Sequence, residues 1–150
     1  MTQWLNETEA RAWRALITLV LVELPKLEST FSSFDLLHVE YGLLVALSES
    51  PDDALRMSDL AEAANLSQSR LSHRMRRLVE RGLIEQRPCS EDRRVTYAAL
   101  TPSGRALIEE AAPHHVADVR SMIFDSLTED QTVALADALE AIVSSKTQSA

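Results

Sequence analysis

At 150 residues and a net charge of −8, the chain is long enough to bury a core, and its 45% hydrophobic and 25% charged residues are typical of a globular protein. Three glycines and five prolines argue against a loop-rich or all-β fold, and a single cysteine excludes an internal disulfide. Neither a signal peptide nor an apolar run long enough to span a bilayer is visible. We therefore expect a cytoplasmic protein with no membrane partner.

The first third of the chain predicts two helices. Apolar residues at helical spacing indicate a helix over residues 7–33 that Pro25 bends or divides, because proline disrupts the backbone hydrogen bonds of a helix. The middle of this helix is apolar on nearly every side, so we expect burial on two sides, the second being another subunit. A second helix is predicted over residues 38–49.

The next segment has the pattern of a helix-turn-helix. Ser58 is expected to cap a short helix of residues 59–64, which ends at Asn65, a residue that tolerates the left-handed backbone of a tight turn. Ser67 then caps a second helix that extends to about Arg81. Its predicted core face consists of Leu71, Met75, Leu78 and Val79. The second helix of such a pair lies in the major groove of DNA.

Arginines are concentrated in one part of an otherwise acidic chain. Residues 67–94 contain eight arginines and four acids, a local charge of +4, which leaves −12 on the remainder. Four of these arginines recur at helical spacing, which predicts an arginine stripe along the exposed side of the second helix. The members of this arginine stripe are Arg70, Arg74, Arg77 and Arg81. A polyanion relieves the repulsion within such a stripe, so we interpret it as a DNA-binding surface, with a solvated helix face as the alternative.

The first turns of the same helix carry short polar side chains that can reach base edges. These candidate DNA-binding residues are Ser67, Gln68, Ser69, Ser72 and His73. We expect Gln68, Ser69 and His73 to read bases, with phosphate contact or helix capping as the alternative. Ser67 leaves backbone amides at the helix N-terminus that suit a phosphate.

A hairpin with a basic tip follows the helix-turn-helix. Residues 83–87 and 95–100 are predicted to be its two strands. At its tip, arginines on a projecting loop suit insertion into a narrow minor groove, so we expect at least one of Arg93 and Arg94 to contact DNA, with Arg94 favoured. Asp92 would repel phosphate. Its expected role is to hold an arginine by a paired hydrogen bond and so fix the shape of the loop.

The C-terminal third predicts two more helices. Thr101 and Pro102 begin the first, and a capping box that starts at Thr128 begins the last. One face of the last helix is apolar and carries Leu135, Leu139, Ile142 and Val143. The predicted fold is therefore mainly α with a small β-hairpin wing (α+β), a winged helix-turn-helix.

Three stretches of this sequence resemble the MarR (multiple antibiotic resistance regulator) family of winged helix-turn-helix proteins. The most specific is residues 92–104, where an aspartate and two basic residues precede a strand, Leu-Thr and a glycine. Residues 66–69 and 78–84 resemble the recognition helix of the family and its exit. The resemblance covers nearly the whole chain in order and in spacing.

The resemblance implies a transcriptional regulator that binds a pseudo-palindromic operator of double-stranded DNA as a homodimer, usually as a repressor. It also implies dimerisation through the N- and C-terminal helices. We therefore expect a single winged helix-turn-helix domain over residues 1–150, with helical dimerisation regions at 7–50 and 102–145 around a DNA-binding lobe at 55–101. Many members of the family release DNA when a small phenolic or anionic effector enters a cleft between these regions.

The candidate effector contacts are Trp13, His38 and His114, which lie on helices expected to converge below the DNA-binding lobe. The alternative is that Trp13 belongs to the core or dimer interface and that the histidines are ordinary surface or interface groups. Cys89 is expected to be a bystander. We predict no cofactor and no metal, because the adjacent histidines 114 and 115 lack further ligands at suitable spacing.

The sequence shows no enzyme motif. It has no glycine-rich phosphate loop, no nucleophile elbow and no His-Glu-x-x-His zinc motif. The alternative function is a winged-helix interaction module whose basic face docks an acidic protein without touching DNA. The density of arginine in both the second helix and the hairpin favours DNA over that alternative.

Overall fold

The computed structural model describes residues 4–147. The chain forms two compact units, the first ending at His115 and the second beginning at Val116. The first unit contains the helix-turn-helix and all strands of the described chain, and the second contains the last helix. No helix within residues 4–147 combines the length and the apolar character that a bilayer crossing requires.

The predicted N-terminal helix is divided near Pro25. Helix α1 spans Glu7–Thr18, and helix α2 spans Leu27–Ser32. Between them lie a π-helical turn, Leu19–Glu23, and a 3-10 turn, Leu24–Lys26. The regular backbone pattern therefore breaks around the proline, which has no N–H group to donate to a preceding carbonyl.

Three helices and a short strand follow, and two of the helices form the predicted helix-turn-helix. They are α3 (His38–Ser48), β1 (Ala54–Arg56), α4 (Met57–Ala63) and α5 (Gln68–Glu80). Asn65, in the turn between α4 and α5, has a φ of 52°, the left-handed conformation that the sequence predicts there. Gly82, after α5, also has a positive φ, which lets the chain reverse into the sheet.

Two local predictions about the helix-turn-helix were wrong. Ser58 does not cap α4, because the helix already begins at Met57 and the extended residue Arg56 holds the cap position. Val79 was predicted to face the core but is 38% exposed. It lies one position beyond the buried Leu78, a rotation of about 100° that carries its side chain to the edge of the core face.

The predicted wing hairpin forms two strands of a three-stranded antiparallel sheet. Strand β2 spans Ile84–Pro88 and strand β3 spans Thr96–Leu100, and the strand order is β1-β3-β2. The central position of β3 places Tyr97 between Arg56 of β1 and Arg87 of β2 in the cross-strand register. The extended piece before α4 thus belongs to the same sheet as the wing.

Two long helices follow in the described chain. Helix α6 spans Pro102–Met122 and continues through Pro113, and helix α7 spans Glu129–Thr147. The predicted capping box of α7 is present. The amide of Thr128 donates to the side chain of Gln131 at 2.9 Å, and the amide of Gln131 donates to the Thr128 hydroxyl at 3.3 Å.

The core of the first unit lies beneath the helix-turn-helix and fixes the orientation of α5. Its fully buried apolar residues include Leu43, Leu44, Leu47, Leu60, Leu71, Met75, Leu78 and Ile84. Each such side chain contributes roughly 1.5–3 kcal/mol of burial free energy. Gly104 of α6 lies against the carbonyl of Leu83, where a side chain would collide with the backbone. The same core therefore supports α5, the sheet and the start of α6.

Candidate nucleic-acid interface

Helix α5 presents its polar first turns outward. Ser67 caps the helix, its hydroxyl accepting the amide of Arg70 at 3.4 Å. The next polar residues, which the sequence nominates as DNA contacts, are all exposed: Gln68, Ser69, Ser72 and His73. Because Leu71 and Met75 are fully buried on the opposite face, this exposed orientation is fixed.

Two grooves flank the outward face of α5. Gln68 and Ser72 line a groove of about 420 Å³ on the side of the wing, together with Arg94. On the other side, Arg70 and Arg74 line a groove of about 560 Å³. The side chains of Ser69, His73, Val39 and Leu66 complete that second groove. Polar and basic groups thus follow both edges of the helix.

The N-terminal half of the arginine stripe has no acidic partner. Arg70 is exposed and Arg74 is half-buried. Within residues 4–147, the arginines of the stripe that form ion pairs within 4 Å are Arg77 and Arg81. The positive charges of Arg70 and Arg74 are therefore not neutralised by the described part of this chain.

The C-terminal half of the stripe is bound to the protein itself. The guanidinium of Arg77 donates to the carboxylate of Glu40, and it donates to the side chain and the carbonyl of Asp35 at 2.7 and 2.8 Å. Arg81 donates to the same Asp35 carbonyl and, at 3.1 Å, to the carbonyl of Phe34. These bonds attach the end of α5 to the loop before α3.

The carboxylate of Glu40, which accepts from Arg77, is buried. The side chain is 0% exposed, and the oxygen that accepts from Arg77 also accepts the amide of Leu37 at 3.0 Å. The second oxygen is buried and has no hydrogen-bond partner in residues 4–147. The hydrogen bond to Glu40 raises the pKa of Arg77, so the arginine stays charged beside the carboxylate.

The predicted continuous stripe is therefore corrected to two parts. Arg70 and Arg74 remain available to a polyanion, whereas the structure places Arg77 and Arg81 in an internal network of ion pairs and hydrogen bonds. Sequence reasoning also passed over Arg76, which is exposed on α5. Its position three residues after His73 was the available signal, because residues i and i+3 are neighbours on a helix surface.

At the tip of the wing, Asp92 holds Arg94. One oxygen of Asp92 accepts the backbone amide of Arg94 at 3.0 Å and its Nε at 3.1 Å, and the other accepts Nη2 at 3.2 Å. These hydrogen bonds lower the pKa of Asp92. The arginine favoured for DNA contact is thus the one that Asp92 holds. Arg94 nevertheless remains 92% exposed, and Arg93 is exposed beside it.

Comparison with known proteins agrees with this geometry. The sequence profile of the MarR family matches residues 34–95, which include the helix-turn-helix. The crystal structure of AbsC, a MarR family transcriptional regulator from Streptomyces coelicolor, is 39% identical in sequence. The match covers 98% of this chain and 99% of AbsC, with a TM-score of 0.92. The chain belongs to the MarR family of transcriptional regulators.

Two further relatives of this MarR-family chain extend the comparison. Sco3205, a MarR family transcriptional regulator from Streptomyces coelicolor solved in complex with DNA, is 35% identical over 95% of this chain and 90% of its own, with a TM-score of 0.89. The HTH-type transcriptional regulator PecS of Dickeya dadantii (strain 3937) is 29% identical over 107 residues. That match spans 71% of this chain and 64% of PecS.

Among the candidate effector contacts of this MarR-family chain, His38 belongs to an aromatic cluster. Its ring stacks on Phe31 at 5.3 Å between centroids and lies 5.9 Å from the ring of His115. His115 also lies 5.1 Å from Tyr41, whose pKa is raised by burial. Sequence reasoning did not nominate His115 as an effector contact, although its place beside His114 was visible.

The other two candidates lie outside that cluster in the described chain. His114 faces Phe34, with 5.7 Å between the ring centroids. Trp13 lies on α1 and is 54% exposed. Within residues 4–147, it takes no part in the ring contacts that His38 makes with Phe31 and His114 makes with Phe34. The structure therefore places His38 and His114 against aromatic rings next to the loop before α3, whereas Trp13 makes none of these ring contacts in residues 4–147.

The MarR family of transcriptional regulators is non-enzymatic. Within residues 4–147, no group of three or more histidine, cysteine or acidic side chains is placed to hold a metal ion. Cys89 is a half-buried free thiol in the wing.

Proposed function

We propose that this chain binds double-stranded DNA as a homodimer through α5 and the wing, and that it represses transcription until a small phenolic or anionic effector binds. The observation that carries the proposal is the N-terminal half of α5. There, Arg70 and Arg74 stand without acidic partners in the described chain beside an outward row of short polar side chains. A duplex supplies both the phosphates and the base edges that such a surface fits.

The polar and basic residues of α5 are proposed to form two groups, one that contacts base edges and one that contacts phosphates. Gln68, Ser69 and His73, near the N-terminus of α5, are proposed to read base edges in the major groove, with Ser67 and Ser72 as supporting contacts. Arg70 and Arg74, on the edge of the helix, are proposed to bind phosphates.

The wing is proposed to grip the flanking minor groove through Arg93 and Arg94, with Asp92 fixing the loop by its hydrogen bonds to Arg94. Arg77, nominated by its spacing as a DNA contact, is proposed instead to position α5 through Glu40 and Asp35. Arg77 would have to leave the buried carboxylate of Glu40 before it could bind phosphate, whereas Arg94 is 92% exposed while Asp92 holds it.

Dimerisation is proposed to use residues 7–50 and 102–145. Two helices there expose apolar side chains that a partner subunit would bury. On α1 and the turn after it they include Trp13, Leu16, Val20 and Leu21, and on α7 they include Val133, Leu139, Ile142 and Val143. Two copies related by a two-fold axis would place their α5 helices in successive major grooves, roughly 34 Å apart.

The effector is proposed to act near His38 and His114, with Trp13 as the least supported contact. Both histidines sit beside aromatic rings, a setting that suits a flat aromatic molecule with a polar or anionic group. An effector that prefers a dimer with the wrong separation of α5 helices would lower the population able to bind DNA. Only its difference in affinity for the two states can produce this release.

Selection of duplexes from a random-sequence pool by the full chain tests the proposal whatever the operator sequence is. We expect enrichment of a pseudo-palindrome with half-sites about one helical turn apart. Arg74→Ala should reduce retention of the pool. Absence of any enriched or retained duplex, together with capture of an acidic protein by the same surface, would replace the proposal with the interaction-module alternative.

A further inference from the structure

Arg56 stands beside the proposed DNA surface, although nothing in the spacing of α5 or the wing singles it out. It is the last residue of β1 and the N-cap residue of α4, so both the sheet and the helix-turn-helix fix its backbone. It shares the groove of about 420 Å³ with Gln68 and Ser72 of α5 and with Arg94 of the wing. A duplex lying against α5 and the wing together would meet this residue.

Tyr97 holds the side chain of Arg56 in one orientation. The Nε of Arg56 donates to the hydroxyl of Tyr97 at 3.1 Å, and the guanidinium carbon lies 5.9 Å from the centre of the tyrosine ring. The two residues are cross-strand partners of β1 and β3, so their positions are set by the sheet register. In the described chain, the hydrogen bonds of the guanidinium use only Nε, which leaves both terminal nitrogens for another acceptor.

Within the described chain, Arg56 has no carboxylate partner, like Arg70 and Arg74 and unlike several other arginines of the first unit. Arg87 pairs with Glu85 and Arg105 pairs with Asp53, whereas no carboxylate of residues 4–147 forms an ion pair with Arg56. The charge of Asp59 in α4 acts on Arg56 without forming an ion pair with it. The hydrogen bond to Tyr97 raises the pKa of Arg56, which keeps the guanidinium charged.

We propose that Arg56, oriented by Tyr97, is an additional phosphate-binding residue that fixes the register of α5 on the duplex. This inference rests on the proposed function. Two free guanidinium nitrogens match two phosphate oxygens, and the phosphate would occupy the acceptor position that no carboxylate fills. Because Tyr97 already restricts the side chain, less conformational entropy is lost on binding than for an unsupported arginine.

Three variants of the full chain test the proposal by the salt dependence of binding to a selected duplex and to a scrambled duplex. Arg56→Ala should weaken both complexes by at least about tenfold and reduce the slope of log K against log salt by about 0.9 per lost contact, hence about 1.8 per dimer. Tyr97→Phe removes the hydroxyl that accepts from Arg56 but keeps the aromatic ring at position 97 and leaves the charge of Arg56 in place. It should weaken binding roughly two- to tenfold and leave the slope unchanged.

The matched control is Arg87→Ala. It removes the same charge from the other cross-strand neighbour of Tyr97, where Glu85 already provides a partner. We expect its slope to equal that of the unaltered chain, and we expect unchanged melting temperatures for all three variants.

The outcomes separate this inference from the proposed function. If Arg74→Ala lowers the slope but Arg56→Ala does not, the DNA surface stands and the role of Arg56 is wrong. If Arg56→Ala and Arg87→Ala lower the slope equally, the slope responds to the overall positive charge and not to a phosphate contact at Arg56, and the inference is overturned. A loss at Arg56 confined to the selected duplex would assign it to base reading instead. A chain that binds neither duplex overturns both proposals.

Discussion

The two halves of α5 carry the same residue type at the same helical spacing and differ in what surrounds it. Arg70 and Arg74 line an open groove and have no ion pair in the described chain. Arg77 and Arg81, one and two turns further along, bind Glu40, Asp35 and backbone carbonyls. The first half keeps its positive charges unpaired in the described chain, whereas the second half fastens the helix to the protein.

The difference shows that a stripe of like charges on a recognition helix need not be a single functional surface. The acids that neutralise Arg77 come from positions 37 and 42 residues earlier in the chain. These carboxylates, and not an external polyanion, relieve the charge repulsion at this end of the helix. A rigid anchor at one end then supports precise placement of the polar residues at the other.

The largest expected effect is on stability at the anchored half. Arg77→Ala leaves the carboxylate of Glu40 buried with one amide donor, so we expect a loss of about 3 kcal/mol in the free energy of unfolding. Urea denaturation at fixed protein concentration measures it. Arg70→Ala, the matched control on the free half, should change the same quantity by less than about 0.5 kcal/mol.

A second substitution identifies the cause of that loss. Glu40→Gln removes the buried charge while keeping the shape of the side chain. In the Arg77→Ala background it should restore part of the lost stability, because a neutral amide costs less to bury unpaired than a carboxylate does. Strictly additive effects of the two substitutions would show that the ion pair does not fasten α5.

The next effect is on DNA binding at the free half. Arg74→Ala should leave the melting temperature unchanged, weaken binding on every duplex, and lower the salt slope by about 0.9 per lost phosphate contact. Titrations at several salt concentrations measure the slope. A slope equal to that of the unaltered chain would remove Arg74 from the DNA surface.

A smaller effect concerns sequence preference. Gln68→Ala should cost roughly 1–3 kcal/mol at one base pair of the operator and little elsewhere. Binding to a set of single-base operator variants measures this loss. Equal weakening across the whole set would mean that Gln68 contacts phosphate or serves only the helix end.

The smallest effect concerns the paired arginine of the wing. The bonds from Arg94 lower the pKa of Asp92, so the paired arrangement is fully present above the ordinary aspartate pKa and is lost as pH falls through the lowered value. A carboxyl-carbon NMR titration should therefore give Asp92 a pKa below 3.8, the ordinary value, and Arg94→Ala should return it toward that value. An unaltered titration in the variant would contradict the pairing.

The local features of the fold were predictable because their signals are local. Asn65 in the turn, Ser67 at the cap, and Thr128 with Gln131 all act within a few residues of one another. The prediction that Ser58 caps α4 was wrong. Arg56, the last residue of β1, holds the cap position, and β1 is fixed by pairing with β3, more than 40 positions further along the chain.

The candidate site was predictable in part for the same reason. Helical spacing correctly placed Gln68 and Arg70 on the exposed face of α5. It could not reveal that Glu40 and Asp35 meet Arg77, because no periodicity within α5 encodes a contact with another element. The hydrogen bond from Arg56 to Tyr97 could not be predicted from the sequence either, because it depends on the strand register of a three-stranded sheet.

A crystal structure of the chain bound to its selected duplex tests the division of α5 most directly. We predict phosphate oxygens within hydrogen-bond distance of Arg70 and Arg74, with Arg77 still donating to Glu40 and Asp35. Release of Arg77 and Arg81 onto the phosphates, with Arg70 and Arg74 left in solvent, would contradict it.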